Sequence, residues 1–288
     1  MRILVASLLA CVLAFMGSAP ASASECLNNP DAIGVSRILE IDTSGGPLFG
    51  TLQYEHTLNL QPKEVVLTFD DGPHPHNTLR VLAALKKECV KATFFPVGTM
   101  AQHHAETLQA IAENGHTIGA HSWSHPNIGR MNKARATNQI ERGFRAVNAA
   151  ADSQIAPFFR FPGLNDSKAM KAYAAQRGYA IFSTDVSSDD WRGISSATIV
   201  RRTMARLNRK KSGIILFHDT KIATAAAIPV LLHALKANGY KIVHIVPARG
   251  YDSLQSADAG KGTLEQATVA KLDTAGQSAD KSQAPAKR

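Results

Sequence analysis

The sequence predicts an α/β fold: a parallel sheet covered by helices and curled into an incomplete barrel of seven strands. Three observations lead there. Short β-rich runs alternate with helical patterns from residue 60 to 250, the signature of parallel strands joined by helical crossovers. Seven strands suit an incomplete α/β barrel better than an open doubly wound sheet. No GxGxxG opens the first helix, which counts further against a dinucleotide-binding sheet.

The strands are expected at residues 65–69, 92–97, 116–122, 158–161, 179–185, 213–218 and 241–246. Each is rich in β-branched, aromatic or apolar residues and bounded by turn or helix signals. The first helix, 78–89, repeats apolar residues at Leu79, Leu82 and Leu85. The next, 105–114, ends before Gly115, a favourable residue just past a helix. Helix 133–150 aligns Ile140, Phe144 and Val147 on one stripe. A serine N-cap starts 167–177, which stops at Gly178, and helices 196–208 and 224–238 complete the series, the latter closing at Gly239.

The flanks read differently. Arg2, the apolar run from Ile3 to Met16 and Ala21-Ser22-Ala23 form a signal-peptide pattern over residues 1–23. The run is short for a span, which needs about 20 residues, so an exported protein without a membrane span is expected, periplasmic or secreted. A lipidated Cys11 is the alternative. Residues 24–60 look like an N-terminal extension packed on the barrel, 61–251 like the barrel domain itself, and 252–288 like a disordered tail rich in small and polar residues. Beyond the leader two cysteines remain, Cys26 and Cys89, which could form a disulfide in an oxidising compartment or stay unlinked.

The 288 residues carry a net charge of +9. Arg2 supplies one positive charge and the tail balances five basic with five acidic residues, so residues 24–251 hold about +8. Such a surface could concentrate an anionic envelope polymer. No recognition helix or RNA-binding signature accompanies it, so no nucleic-acid partner is expected. A monomer is expected.

The chemistry-bearing residues fall at one end of the predicted strands. Asp70 and Asp71 end the first, His121 and His125 follow the third, and Arg160 ends the fourth. Asp190 and Trp191 follow the fifth, and His218 ends the sixth. Carboxyl ends of parallel strands are where α/β barrels assemble active sites. His121 and His125 can converge on one cation, with a carboxylate completing a set suited to Zn²⁺. Adjacent Asp70 and Asp71 repel one another; a cation on one relieves that, and the other is free to accept a proton from water.

Taken in order, Thr68-Phe69-Asp70-Asp71-Gly72, His121-Ser122-x-x-His125, Arg160-x-Pro162, Asp190-Trp191 and Leu216-x-His218 resemble the five motifs of the NodB-homology polysaccharide deacetylases, carbohydrate esterase family 4. Ala92-Thr93-Phe94-Phe95 is similar to that family's second strand, and the match covers residues 62–247. The resemblance implies a distorted (β/α)₇ barrel and hydrolysis of a linear amide, with N-acetyl groups removed from GlcNAc- or MurNAc-containing polysaccharide. It implies that Asp71, His121 and His125 hold a divalent metal, Zn²⁺ or alternatively Co²⁺. Asp70 would be the base, held and kept ionised by Arg160. His218 would be the acid, oriented by Asp190 or by the alternative Asp189. Gly163 would offer a backbone oxyanion donor, and Trp191 and Leu216 apolar walls. Gly163 stands where many members carry an aromatic residue, so one wall of the sugar site is in doubt. Two other functions stay open: hydrolysis of an O-acetyl ester or cyclic imide, and catalytically silent binding of an envelope sugar. His74 and His76 are expected to be loop residues, His103 and His104 exposed, and His56, His233 and His244 lie in no motif.

Overall fold

The computed structural model describes residues 29–248. The expected leader, Cys11, Cys26 and the tail lie outside the described residues. Cys89 is disulfide-bonded.

The described residues form ten parallel strands: β1 (Val35–Ile41), β2 (Leu48–Phe49), β3 (Glu64–Asp70), β4 (Thr93–Phe95), β5 (Thr117–Ile118), β6 (Phe158–Phe159), β7 (Ala180–Phe182), β8 (Val186–Ser187), β9 (Gly213–His218) and β10 (Lys241–Pro247). The seven expected strands are all there, several of them shorter. The helices are α1 (Asn77–Lys87), α2 (Gly98–His103), α3 (Ala105–Glu113), α4 (Lys133–Ala151), α5 (Lys168–Arg177), α6 (Ser196–Lys210) and α7 (Ile222–Ala237).

The pairing goes round a ring. β9, β3, β4 and β5 are neighbours, a bridge from Ala120 to Phe159 links β5 to β6, and β6 pairs with β7. Three residues beyond β7, β8 pairs with β9. The bend between β7 and β8 therefore carries one segment from a small sheet into the large one, and the ring is split there. β10 touches only the first two residues of β3 before parting from it, which distorts the barrel further.

Inside the ring, Val66, Phe95, Phe158, Phe182, Ile214, Val243 and Ile245 form a buried cluster. β3 shows how one strand serves both faces. Its side chains alternate, as in any strand: Val66 joins the inner cluster, while Val65, Leu67 and Phe69 join the larger core under the helices. The same alternation puts Thr68 and Asp70 on the inner side, at the upper end.

The segment before β3 is part of this structure. β1 pairs with β10 and β2 with β7. Asp185 ties the loop after β2 to the barrel, accepting from Thr51 N–H at 2.8 Å, Thr51 Oγ1 at 2.7 Å and Thr57 Oγ1 at 2.7 Å.

Two expectations need correction. Leu79 faces solvent; α1 buries Thr78, Val81, Leu82 and Leu85 instead, the i, i+3, i+4, i+7 stripe that a 3.6-residue turn requires. The helical stretch at 105–114 has a partner, α2, separated from α3 by His104, whose backbone leaves helical geometry (φ −131°, ψ 47°). The caps are as expected: Ser167 accepts from Met170 N–H and Gly178 is left-handed at φ 65°. No helix among the described residues is long and apolar enough to cross a membrane.

Candidate active site

A cleft of about 960 Å³ opens at the carboxyl end of β3 and β9. Asp70 and His218 stand opposite one another there, because the β3–β9 register that starts with Val65 beside Gly213 ends with Asp70 beside His218. Asp71 follows with φ 74°, and this left-handed turn swings its carboxylate out of the strand.

The His121–His125 turn is also made by unusual backbone. Ser122 and His125 both have positive φ, 69° and 56°. The Ser122 hydroxyl accepts from His125 N–H at 3.1 Å, and Trp123 N–H donates to the Gln139 carbonyl of α4 at 2.9 Å. Trp123 packs under the Arg142 guanidinium, 3.7 Å above its ring. Gly143 of α4 lets the turn approach: a Cβ there would lie 2.5 Å from Ser122 backbone. Strained non-glycine residues held this firmly cluster at functional sites.

Asp71, His121 and His125 each offer one ligand atom, all within 4.8 Å of one another. Asp71 Oδ1 is 3.6 Å from His121 Nε2 and 3.4 Å from His125 Nε2, and this oxygen is buried without a hydrogen-bond partner. An orphaned carboxylate oxygen between two imidazoles is costly unless something cationic satisfies it. His121 Nδ1 donates to the Arg160 carbonyl at 2.7 Å, which leaves Nε2 with its lone pair directed at Asp71. Burial pushes His121 down to about 3 against the opposing pull of Asp71, so the ring is neutral, the form a metal ligand needs. The residues fit a divalent cation.

Arg160 is fully buried at the barrel centre and spends its donors on four partners: Asp70 Oδ1 at 2.7 Å, Thr68 Oγ1 at 2.8 Å, and the carbonyls of Phe182 at 3.1 Å and Ser183 at 2.8 Å. The Asp70 carboxylate is thereby locked through one oxygen. Its other oxygen, Oδ2, lies 3.8 Å from His121 Nε2 and faces the triad. The expectation that Arg160 keeps Asp70 ionised is incomplete. Burial pushes the Asp70 carboxyl above its ordinary range, and the charges of Arg160 and His218 only oppose that rise.

The choice between Asp189 and Asp190 has a geometric answer. Asp190 Oδ1 accepts from His218 Nδ1 at 2.7 Å. Its Oδ2 accepts from His218 N–H at 2.7 Å and Thr224 Oγ1 at 2.6 Å. Asp189 turns to α6, pairing with Arg202 at 2.8 Å and Arg206 at 2.7 Å. Burial alone would lower the His218 pKa. The Asp190 bond and charge, with Asp70 and Asp71 beyond, outweigh it and raise His218 to about 9.

Gly163 (φ 60°), Trp191 and Leu216 all line the cleft. Trp191 is half exposed, with Arg192 4.5 Å above its ring, and Leu216 is buried. Several lining residues escaped the sequence reading, among them Leu164 and Arg192. Leu52 arrives from the N-terminal segment, and Arg206, Arg209 and Lys210 from α6. An isolated Leu in a loop and a basic helix end carry no pattern that singles them out. His74, at the loop before α1, accepts from the N–H groups of His76 and Asn77 and so has a local structural role. His244, in no motif, is buried against Thr117 at the opposite end of the barrel.

The chain is thus a split parallel α/β barrel that gathers a carboxylate base candidate, an imidazole and an Asp-His-His set at the carboxyl ends of its strands. The polysaccharide deacetylase family model matches residues 57–182. A family 4 carbohydrate esterase from Streptomyces lividans superposes with a TM-score of 0.58 at 30% identity, over 65% of this chain and 95% of that one. This chain belongs to that family. A peptidoglycan deacetylase of Bdellovibrio bacteriovorus gives a TM-score of 0.69 at 32% identity, over 77% of this chain and 62% of that one. A peptidoglycan-N-acetylmuramic acid deacetylase of Bacillus subtilis is 31% identical over 198 residues, 68% of this chain. The match spans only 40% of that relative's length. The fold also occurs in a protein described as a family pseudoenzyme from Bacillus anthracis, 25% identical with a TM-score of 0.58 over 65% of each chain.

Proposed function

We propose that this chain is an exported, metal-dependent hydrolase that removes N-acetyl groups from GlcNAc- or MurNAc-containing polysaccharide, acting as a monomer. The observation that carries this reading is the pairing of Asp70 and His218 side by side in register in one cleft, beside Asp71, His121 and His125. Amide hydrolysis needs a base for water and an acid for nitrogen, because an amine anion is a poor leaving group.

A divalent cation held by Asp71, His121 and His125, which we take to be Zn²⁺, would supply Lewis-acid polarisation of the acetamide carbonyl. Asp70 accepts the proton of the attacking water at Oδ2, the oxygen that Arg160 leaves free. Water oxygen bonds to the carbonyl carbon as that proton leaves. His218 Nε2 then gives a proton to the nitrogen, the C–N bond breaks, and acetate and a free amine result. Asp190 holds His218 through Nδ1 and stabilises its charged form. The Gly163 N–H, on a residue that lines the cleft, is our candidate backbone donor for the oxyanion, and Trp191 and Leu216 would wall the acetyl and sugar faces.

The test is acetate release by the Zn²⁺-loaded chain from peptidoglycan glycan, chitin oligomers and acetylated xylan. Release from the first two supports N-deacetylation. Release from xylan alone would make it an O-acetyl esterase, and release from none would favour a silent sugar-binding protein.

A further inference from the structure

The cleft wall includes a residue that the proposed chemistry leaves unused. Leu52 is a large apolar side chain left 59% exposed, yet it lines the same cleft as Asp70 and His218. A single exposed leucine needs no explanation by itself. This one is held out by its backbone, and other apolar groups stand near it.

Residues 50–56 form a turn seated on the carboxyl end of β7. Gly50 N–H donates to the His56 carbonyl and Tyr54 N–H to the Gly50 carbonyl, both at 2.9 Å, which closes the turn. Leu52 N–H donates to the Thr184 carbonyl at 2.9 Å, and Thr51 is fixed to Asp185. Gly50 lies so close to the strand end that a Cβ there would be 2.5 Å from the Thr184 nitrogen. On the other flank Gln53 Nε2 donates to the Leu164 carbonyl at 2.5 Å and to Asp166 Oδ2 at 2.9 Å. The same Asp166 oxygen accepts from the Tyr54 hydroxyl at 2.9 Å. Leu164, itself in the cleft wall, has φ 56°, a costly conformation for a bulky residue that persists only where neighbours enforce it. A turn bonded on both flanks cannot fold Leu52 back into the core. Its apolar surface stays in water until a ligand covers it.

The ring order places that ligand contact. β7 lies three steps from β3 by way of β8 and β9, and four by way of β6, β5 and β4. Leu52 is therefore across the ring from Asp70, and serves a part of the ligand remote from the reacting acetyl group. Leu164 follows β6 and the half-exposed Trp191 follows β8, so apolar groups flank Leu52 on both sides. A pyranose ring presents C–H groups on its faces, and apolar side chains pack on these. At about 960 Å³ the cleft is near the top of the ~300–1,000 Å³ range of small-ligand sites, which leaves room beyond one sugar.

We propose that Leu52 is a substrate-binding residue that packs, with Leu164, on a sugar flanking the one whose acetyl group reacts, so that the chain prefers oligomers to single sugars. Residues 50–56 precede the span 57–182 that the family model matches. The inference rests on the deacetylase reading for its ligand, but its test reads binding.

The probe is tetra-N-acetylchitotetraose, with GlcNAc as the one-sugar control. Each is titrated by ligand-observed NMR into the full-length chain freed of metal, so that nothing is turned over. The wild type should bind the tetramer at least ten-fold tighter than GlcNAc. Leu52→Ala should weaken the tetramer about five- to ten-fold, roughly half the burial of one leucine side chain, and leave GlcNAc within two-fold. Leu52→Met keeps the apolar surface and should stay within two-fold of the wild type on both sugars. A tetramer affinity unchanged in Leu52→Ala would overturn the proposal, as would an equal loss for both sugars. A wild type that binds both sugars equally, or neither, would overturn it too. Acetate release by the Zn²⁺-loaded wild type is scored separately. Tetramer binding that depends on Leu52 without acetate release sinks the deacetylase reading and leaves the sugar contact standing. Acetate release with a tetramer KM unchanged in Leu52→Ala does the reverse.

Discussion

Replacing Asp190 by Asn changes one atom and tests how the acid is made. In the structure Asp190 Oδ2 serves His218 N–H and Thr224, and Oδ1 receives His218 Nδ1–H. An Asn side chain can keep the first pair with its carbonyl, but it then turns an NH₂ group towards Nδ1. That arrangement favours neutral imidazole and removes the charge that stabilises the imidazolium. His218 should fall from about 9 to no more than the ordinary 6.5, since burial now acts without its main opponent. At pH 8 a group with pKa 9 is about 90% protonated and one with pKa 6.5 about 3%, a loss of about 30-fold in the acid form. The assay is an NMR titration of the His218 ring in metal-free protein, followed by the pH dependence of turnover in the Zn²⁺-loaded enzyme. A bound cation lowers both pKa values and leaves the gap between them. The raised pKa keeps the acid form below it and loses it as pH rises, so the alkaline limb of turnover should move down by two units or more. A His218 titration unchanged in Asp190→Asn would refute the reasoning.

Asp189→Asn supplies the contrast: it frees Arg202 and Arg206 and should leave the His218 titration within about half a unit, whereas a large shift would restore Asp189 as the orienting group. Gly143→Ala should push its Cβ into Ser122, costing about 1–3 kcal/mol of stability and weakening Zn²⁺ binding about ten-fold or more, measured by denaturant unfolding and competition with a chelator; unchanged affinity would mean that the turn does not set the ligands. At the far end of the barrel His116 and His244 are buried and pushed down to about 3 and about 4. Burial is the main cause for both, with the Lys91 charge adding to it. Unfolding lets them return to about 6.5 and take up protons, so stability should fall as pH drops below 6.5 and level off near pH 3, with a slope of up to about 1.4 kcal/mol per pH unit for each ring. His116→Gln with His244→Gln should flatten the slope between pH 6 and 4, and an equally steep slope in the double variant would exclude these two rings as its source.

Much of this was legible because it is local. The Val65–Phe69 run, with its β-branched and aromatic residues, fixes a strand, and the paired carboxylates after it mark the strand's end as chemical. His121 and His125 are four apart, near enough for sequence to bring them together. The rest depends on contacts far along the chain. Asp189 and Asp190 are indistinguishable by type, and only the placement of α6 and His218 separates them. Arg160 reads as one basic residue in an apolar run, yet it fills the barrel centre, with partners up to 92 residues away. Leu79 was misplaced because a pattern of leucines outweighed Thr78 and Val81, which pack better on the helix face that α1 turns inward. Leu52 and the basic end of α6 line the cleft beside contacts distant in sequence, Asp185 with Thr51 and Asp189 with Arg206.

Asp70 acting as the base beside an intact Asp-His-His set is the central claim. Its most direct test is Asp70→Asn, measured for acetate release from a GlcNAc–MurNAc glycan and, on the same sample, for bound Zn²⁺. The structure leads to retained zinc, since Asp71, His121 and His125 are untouched, with turnover reduced by about 10²-fold or more, the scale of a positioned general base. Full activity in the zinc-loaded variant would contradict the account.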